Sequence, residues 1–520
     1  MRFSRCLKSS KHCLPSPDGK LVATLFPGVV NIRSVESLEV VNVVKLPPDF
    51  SGSVLSFQWS PSSRLVLVAV VDHIRVFSAQ HGNFQATIRN AVPPAAKPTY
   101  LGFSPLGTEV CVCSSFGLKF SIFDLESSRA VEIANPKFFH SATACNGFSF
   151  RPLTHHLALM TRTAGKDMIS IHDPVTRELQ ISWHPDTVDA QGLKWSPDGK
   201  WLVVRESAGQ GHKIIFYTAD GHMFKTWLGP SNPSPEFQHF ALGAGARLLR
   251  FSEDGSSLAI GDSSRCIYLF NMATLSETMR LLHPTTTTPT ETIQIWQEQV
   301  NITQAGPSLH TFIKATQAVS PPARPKDNSE PKSGCSSILF DSSSVLVATC
   351  LQESPSTLWI WDTQASELRA VLLFHSNISS AAWHPTSRET LLVRCEGDLY
   401  NSIVFVWDPL SEGPRTVDFS EHLPGSRASG RSLAKWLDCD ASKSPAIFFS
   451  DSLNYMLASL ADSDEESPPW QDRLGVEWNA ETGREESPLE LVPAADVNTQ
   501  YIEDEDEYAS DLEDTFHYKR

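Results

Sequence analysis

The sequence contains no run of about 18 consecutive apolar residues, the length that a membrane-spanning helix requires. Its first eight residues also lack the apolar stretch of a secretory signal. We therefore expect a soluble protein that neither spans a membrane nor enters the secretory pathway. The expected location is the cytoplasm.

Cysteine pairs with the spacing of a metal or redox site are also missing. The ten cysteines are scattered along the chain, and none form a CxxC pair. The closest two, Cys111 and Cys113, would lie on one face of a strand. Scattered cysteines in a cytosolic protein are usually buried, reduced thiols. We therefore predict no metal site.

Catalytic motifs are absent as well. The chain has no GxSxG nucleophile elbow and no GxxxxGK phosphate loop, HExxH motif or EF-hand loop. His155 and His156 lie at a strand boundary without cysteine or carboxylate partners nearby in sequence, and His184, His283 and His384 each precede a proline, as in turns between strands. We predict a protein that is not an enzyme and has no catalytic residue or cofactor.

Charge is distributed unevenly along the chain, whose net charge is −16. Residues 462–520 hold 19 acidic and 4 basic residues, a net of −15, whereas residues 1–461 hold 40 acidic and 39 basic residues, a net of −1. A neutral body with an acidic tail lacks the net-basic face that nucleic-acid binding requires. We therefore predict no direct nucleic-acid partner.

One pattern recurs throughout the body: an aromatic or apolar residue, a Ser-Pro-like turn, and then an apolar strand. The residue that follows the aromatic position recurs at intervals of 44, 44, 47, 45, 56, 89, 43 and 53 residues. A period in the mid-forties is typical of the blades of WD-repeat propellers. The nine anchor positions are Ser16, Ser60, Ser104, Arg151, Ser196, Ser252, Asp341, His384 and Leu437.

Each unit has room for four short strands, which make one blade. Two units also keep the Trp-Asp strand ending of this class, at Trp361-Asp362 and Trp407-Asp408. The sequence therefore predicts that residues 1–461 form an all-β WD-repeat β-propeller, one large ring of about 8–9 four-stranded blades. We expect the segment from Phe3 to Leu7 to close the ring against the last unit.

The 89-residue interval leaves two interpretations open. Residues 284–332 are interrupted by Pro, Thr, Ser and Gly, as in an inserted loop. The same interval could instead hold a degenerate blade, with residues 293–296 and 311–314 as strands. Within it, Ser320 precedes a proline and is a candidate for proline-directed phosphorylation.

Residues 462–520 are too acidic to bury a core, and we predict a disordered tail. Ser463 and Ser510 precede acidic residues and resemble sites of acidophilic kinases. The tail either keeps the protein in solution or docks on a basic partner surface through its aromatic residues. The candidate docking residues are Trp470, Trp478, Tyr501, Tyr508 and Phe516.

Residues 186–199, 213–221 and 247–284 resemble the WD-repeat proteins of centrosomes and spindle pole bodies, relatives of the animal p53-antisense WD-repeat protein. The resemblance extends over about residues 1–460. It implies a non-catalytic scaffold that joins a coiled-coil anchoring protein and a minus-end-directed kinesin, and so tethers microtubule minus ends. Because tubulin is acidic, an acidic chain would reach microtubules indirectly, through a partner.

Two other functions remain as alternatives. Large propellers also act as scaffolds in translation initiation, although the neutral body lacks the basic patch that ribosome binding favours. A substrate receptor of a ubiquitin ligase often carries Trp-Asp-x-Arg, but neither Trp361-Asp362 nor Trp407-Asp408 is followed by that arginine.

Overall fold

A computed structural model describes most of the 520-residue chain. The described residues are 1–47, 53–80, 84–89, 98–114, 117–137, 147–230, 245–301, 309–323, 334–386, 389–425, 427–438, 443–461 and 467–471, with the backbone of 516–519. Within these ranges the chain consists of strands and turns and contains no α-helix. Short 3-10 turns lie at Ala208–Gln210, Asp398–Tyr400 and Ser420–His422.

The chain begins with two short strands, β1 (Arg2–Phe3) and β2 (Leu7–Lys8). Antiparallel four-stranded sheets, here called blades, then follow one another. Blade 1 contains β3 (Cys13–Pro15), β4 (Leu21–Phe26), β5 (Val29–Ser34) and β6 (Val40–Lys45). Blade 2 contains β7 (Ser56–Trp59), β8 (Leu65–Ala69), β9 (His73–Ser78) and β10 (Gln85–Arg89). Blade 3 contains β11 (Tyr100–Phe103), β12 (Glu109–Cys113), β13 (Lys119–Asp124) and β14 (Ala130–Ala134).

The next three blades have the same composition. Blade 4 contains β15 (Phe148–Phe150), β16 (Leu157–Thr163), β17 (Lys166–His172) and β18 (Leu179–Trp183). Blade 5 contains β19 (Ala190–Trp195), β20 (Leu202–Glu206), β21 (Ile214–Tyr217) and β22 (Met223–Trp227). Blade 6 contains β23 (Ala246–Phe251), β24 (Ser257–Asp262), β25 (Cys266–Asn271) and β26 (Ser276–Leu282).

The last three blades include one enlarged sheet. Blade 7 has four blade strands, β29 (Cys335–Phe340), β30 (Leu346–Leu351), β31 (Ser354–Asp362) and β32 (Glu367–Leu373). Two additional strands, β27 (Gln294–Asn301) and β28 (Leu309–Lys314), precede them in the chain. Blade 8 contains β33 (Ile378–Trp383), β34 (Leu391–Cys395), β35 (Ile403–Trp407) and β36 (Arg415–Asp418). Blade 9 contains β37 (Leu433–Leu437), β38 (Ala446–Ser450) and β39 (Asn454–Ser459). The final strand is β40 (Phe516–Lys519).

The described strands thus form nine sheets, which confirms the predicted all-β propeller. The first strands of successive blades contact each other, as β15 contacts β19 and β23 contacts β29. The fourth strands carry many exposed residues, for example β6 and β18. Each blade therefore turns its first strand inward and its fourth strand outward.

The N-terminal strands complete the last blade. β1 and β2 both pair antiparallel with β39, with Arg2 opposite Ser459 and Leu7 opposite Tyr455. The chain start therefore supplies the outer strand of blade 9. This pairing confirms the prediction that the first segment closes the ring.

In the described part of the long interval between blades 6 and 7, two additional strands join blade 7 and form no separate sheet. β27 pairs in parallel with β32, the fourth strand of blade 7, and β28 pairs antiparallel with β27. The interpretation of 284–332 as a degenerate blade is therefore wrong, and its description as a loop is incomplete. The two segments predicted as possible strands do form strands, but they widen blade 7 at its outer edge.

The recurring turn is stabilised by its own side chains. The Ser196 hydroxyl donates to the Asp198 carboxylate at 2.6 Å and accepts the backbone N–H of Trp201 at 3.0 Å. Gly199 takes φ +69°, a conformation that favours glycine. Ser16 and Ser252 make the same pair of contacts, so the turn sequence itself fixes the reversal between the first two strands of a blade.

The Trp-Asp endings have an equally local role. The Asp362 carboxylate accepts the backbone N–H groups of Gln364 and Ala365 at 2.9 and 2.8 Å. This arrangement caps the turn that leads from the third strand to the fourth. Asp124, Asp173 and Asn271 accept the corresponding pairs of backbone N–H groups in their blades.

Candidate partner-binding surface

The histidines that the sequence placed in turns have structural roles. His283 is 4% exposed, and its Nε2 lies 2.8 Å from the Thr349 hydroxyl of the next blade. That hydroxyl also accepts the indole N–H of Trp361 at 3.0 Å. Burial lowers the pKa of His283 to about 4, so its ring is neutral at pH 7. The connection joins blades 6 and 7.

His384 is also buried, and burial lowers its pKa to about 4. The Nδ1 atom of His184 lies 2.8 Å from the carbonyl oxygen of Asp167. Among the residues that the structure describes, no group of three or more His, Cys, Asp or Glu side chains is placed to hold a metal ion. The same residues include no helix with the length and apolarity needed to cross a membrane.

Eight of the ten cysteines lie among the described residues, and all eight are free thiols. Seven of them are buried, with Cys6 half-buried. Burial raises the pKa of the Cys13 thiol to about 11 and that of Cys113 to about 12. These cysteines therefore pack as small apolar residues in the blades.

Asp189, in the segment with the most specific family resemblance, joins an ion cluster between blades 4 and 5. Its carboxylate accepts Lys137 Nζ at 2.8 Å and also pairs with Arg162. Lys137, 7% exposed at its side chain, bonds Asp167 at 2.7 Å. Since buried charges are tolerated when paired, this cluster is structural and fixes the two blades to each other.

Exposed apolar side chains mark the outer strands of the same two blades. On β18, Leu179 is 56% exposed and Ile181 is 37% exposed. On β22, Met223 is 49% and Phe224 60% exposed, and the Phe224 ring lies 4.7 Å from that of Trp201. Neighbouring exposed apolar side chains of this kind are typical of surfaces that bind other proteins.

A pocket of about 310 Å³, here called the rim groove, opens between these blades. Arg151 and His156 reach it from the turn between β15 and β16, and Trp195 from the end of β19. The remaining lining residues are Ile171, Gln180, Ile181, Ala219 and Asp220. Strands and turns of both blades thus contribute to one groove.

Close packing at Gly221 brings the turn of blade 5 against the outer strand of blade 4. This glycine has φ +82°, and a Cβ there would lie 2.6 Å from the ring of Trp183. Trp183 follows Ile181 by two residues, so the two side chains share one face of β18. The turn of blade 5 therefore lies directly against the outer strand of blade 4, beside the groove.

The groove combines one cation with a neutral histidine and an exposed carboxylate. The guanidinium of Arg151 lies over the Trp195 ring, 5.3 Å from its centre. Burial, followed by the charge of Arg151, lowers the pKa of His156. The hydroxyl of Thr218 donates to Asp220 and lowers the pKa of that carboxyl, which is therefore ionised.

The described part of the acidic tail starts on the propeller. Trp470 is 2% exposed and packs in the core cluster of blades 9 and 1, which includes Leu7 and Tyr455. Gln471 follows, and its backbone N–H donates to the carbonyl of Glu36 at 2.8 Å. For Trp470 the structure differs from the prediction of an unfolded docking residue, because the apolar seam between the two blades buries its indole.

The other predicted tail residues mostly lie outside the described residues. This applies to Trp478, Tyr501, Tyr508, Ser463 and Ser510 and to the side chain of Phe516. The backbone of β40 pairs antiparallel with β10, the outer strand of blade 2. Ser320, by contrast, is described: it is exposed, and its hydroxyl lies 2.9 Å from that of Thr286.

Comparison with known proteins identifies relatives along most of the chain. No family model matches the sequence. The mouse WD repeat-containing protein WRAP73 is 24% identical over 432 residues, which cover 79% of this chain and 87% of the relative. An uncharacterized WD repeat-containing protein of Schizosaccharomyces pombe is 24% identical over 482 residues, covering 88% and 91%. Both matches confirm the resemblance to WD-repeat proteins.

Two solved structures are also similar. A crystal structure described as a eukaryotic initiation factor has a TM-score of 0.49 and 10% identity, covering 80% of this chain and 90% of that chain. The Dos1 propeller has a TM-score of 0.46 and 11% identity, covering 81% and 95%.

Proposed function

We propose that this WD-repeat propeller is a non-catalytic scaffold at spindle poles or centrosomes, in the cytoplasm. It joins a coiled-coil anchoring protein and a minus-end-directed kinesin and thereby tethers microtubule minus ends. The observation that carries the proposal is the similarity to WRAP73 over 87% of that relative's length, together with the residues in 186–284 that resemble the spindle-pole family.

The architecture suits a scaffold because it offers several separate surfaces on one rigid ring. The rim groove lies between blades 4 and 5, whereas the two additional strands of blade 7 extend a different part of the edge. Two partners that dock on such separate places do not exclude each other.

The charge of the chain supports indirect contact with microtubules. Its net charge is −16, and like charges on tubulin and this chain disfavour direct association. A partner with its own microtubule-binding domain therefore supplies the attachment, and the propeller supplies the connection. Phosphorylation of Ser320, which is exposed, or of Ser463 and Ser510 would regulate that connection.

Affinity purification followed by mass spectrometry tests the proposal. The tagged full-length chain is compared with a chain ending at residue 471, which retains Trp470 in its core position. Recovery of a coiled-coil pole protein and a kinesin with both chains supports a scaffold located in the propeller. Loss of both partners from the shorter chain alone identifies the tail as the docking element.

A second readout is the position of the fluorescently tagged chain in dividing cells, which we expect at the spindle poles. Recovery of ribosomal subunits or of a cullin complex, with no pole signal, would overturn the proposal in favour of translation initiation or ubiquitin ligation.

A further inference from the structure

Several tryptophans occupy the same place in the repeat and make the same contact. The indole N–H of Trp59 donates to the carbonyl of Leu14 at 3.0 Å, in the first strand of the preceding blade. Trp383 donates to Leu339 at 3.0 Å, and Trp436 donates to Ala382 at 2.9 Å. In each case the indole links the first strands of two adjacent blades.

Trp195 stands at the same place but does not make this contact. Its side chain is 3% exposed, and none of the described residues accepts its indole N–H. Its hydrogen bond to the preceding blade comes instead from its backbone N–H, which donates to the Ser149 hydroxyl at 3.1 Å. A buried N–H without an acceptor costs about 1–3 kcal/mol, so the described residues of blades 4 and 5 lack a stabilising bond that the other blade pairs above possess.

Arg151 provides a second set of donors next to this indole. Its Nε donates to the carbonyl of Gly199 at 2.8 Å, which holds the guanidinium over the Trp195 ring. Within the part of the chain that the structure describes, the terminal nitrogens of Arg151 have no acceptor. Both side chains line the rim groove, and the donors that remain available there are those of the Arg151 guanidinium.

The rest of the groove is apolar or uncharged except at one position. Ile171, Ile181 and Ala219 offer aliphatic surface, and His156 is neutral. Asp220 is fully exposed and held by Thr218, and among the described residues Arg151 makes no ion pair with it.

We propose that the rim groove binds an extended peptide segment of a partner that carries a carboxylate side chain beside a bulky apolar one. The carboxylate accepts hydrogen bonds from the Arg151 guanidinium, as charged acceptors and donors pair most strongly. The apolar side chain packs on Ile181 and Ala219. A pocket of about 310 Å³ lies at the lower end of the usual size of ligand sites, which suits one or two side chains.

The proposed peptide site adds the chemistry of a partner segment to the proposed function. It rests on that function only in treating the protein as a scaffold. Selection from a phage-displayed library of random peptides on the purified full-length protein tests it without any named partner. We expect enrichment of peptides in which Asp or Glu adjoins Leu, Ile, Met or Phe. A selection with no enriched sequence, or with no acidic position, overturns the proposal.

The fluorescently labelled form of an enriched peptide is then measured by anisotropy. Ile181→Glu places a negative charge at a position that is 37% exposed, so the fold should persist while affinity falls by about tenfold or more. Val43→Glu, the same kind of change at a 50% exposed position of β6, is the matched control and should bind normally. Replacement of the peptide's Asp or Glu by the corresponding amide should weaken binding similarly.

Equal affinity of Ile181→Glu and the unsubstituted protein overturns the groove as the site. Because purified protein and synthetic peptide are used, this result is separate from the recovery of pole proteins from cells. If the peptide binds at the groove but the pole proteins are not recovered, the proposed peptide site is supported and only the proposed spindle-pole function is overturned.

Discussion

Glu298 and His310 form a fully buried pair, with Oε1 of the carboxylate 2.6 Å from Nδ1 of the imidazole and both side chains 0% exposed. They lie on β27 and β28, the two strands that widen blade 7. The Tyr400 hydroxyl donates to the same carboxylate at 3.1 Å, and the backbone N–H of His375 donates to its other oxygen at 2.7 Å. The pair therefore attaches the additional strands to blade 8.

Replacing Glu298 by Ala should strongly destabilise this attachment. The change removes the carboxylate to which His310, the Tyr400 hydroxyl and the His375 backbone all bond, and removing one partner of a buried pair costs about 3–5 kcal/mol. Hydrogen exchange of the backbone of β27 and β28 should accelerate most. Glu291→Ala, in the exposed segment just before β27, is the control and should leave exchange unchanged; equal effects of the two changes would contradict the prediction.

Replacing the tryptophans of the repeat by Phe should lower the free energy of unfolding by different amounts. Trp383→Phe removes the indole N–H and leaves the carbonyl of Leu339 unpaired, which should lower the free energy of unfolding by about 1–3 kcal/mol more than Trp195→Phe. Trp195 has no such bond to lose among the described residues. Urea denaturation of both variants gives the comparison. A larger loss for Trp195→Phe would show that its indole already has an acceptor.

Stability should fall as the solution becomes acidic, in part because of His283. Burial lowers its pKa from the ordinary 6.5 to about 4. Between these pH values the imidazole is therefore protonated in the unfolded chain and neutral in the folded chain. This contribution is complete above pH 6.5 and is lost between pH 6.5 and 4, by about 3 kcal/mol.

Denaturation of the wild type and of His283→Gln across pH 7.5 to 4 measures this contribution. At pH 7.5 the variant should be less stable than the wild type, because it lacks the bond between His283 and Thr349 that joins blades 6 and 7. Its free energy of unfolding should then fall less between pH 7.5 and 4. An identical acid-induced loss in both proteins would assign the effect to other groups.

Trp470 should stabilise the ring although it lies beyond the last strand of blade 9. Its indole is 2% exposed in the core between blades 9 and 1, and truncation of such a side chain to Ala costs about 3–5 kcal/mol. A chain ending at residue 461 should therefore melt at a lower temperature than one ending at 471. Trp470→Ala in the longer chain should reproduce that decrease, and equal melting temperatures would contradict the burial.

Much of the fold was predictable because its signals are local. The Ser196–Asp198 turn and the Asp362 cap are formed by residues only a few positions apart, so the repeat appears in the sequence wherever these side chains recur. The site was much less predictable. Ile181 and Ala219 belong to different blades and form one groove only after the blades pack together.

The sequence by itself determined the all-β repeat, its period and the charge of the tail, since each depends on composition or on contacts within one unit. The N-terminal closure was also predicted, although it pairs β1 with β39, more than 450 residues away. Tertiary structure decided the rest. β27 pairs with β32 across more than 70 residues. His283 is buried because Thr349 lies on the neighbouring blade. Trp470 packs into an apolar seam between two blades, and the residues beside it in the sequence do not predict this. Such contacts depend on which surfaces pack together after the blades form, so they cannot be predicted from the residues nearby in sequence.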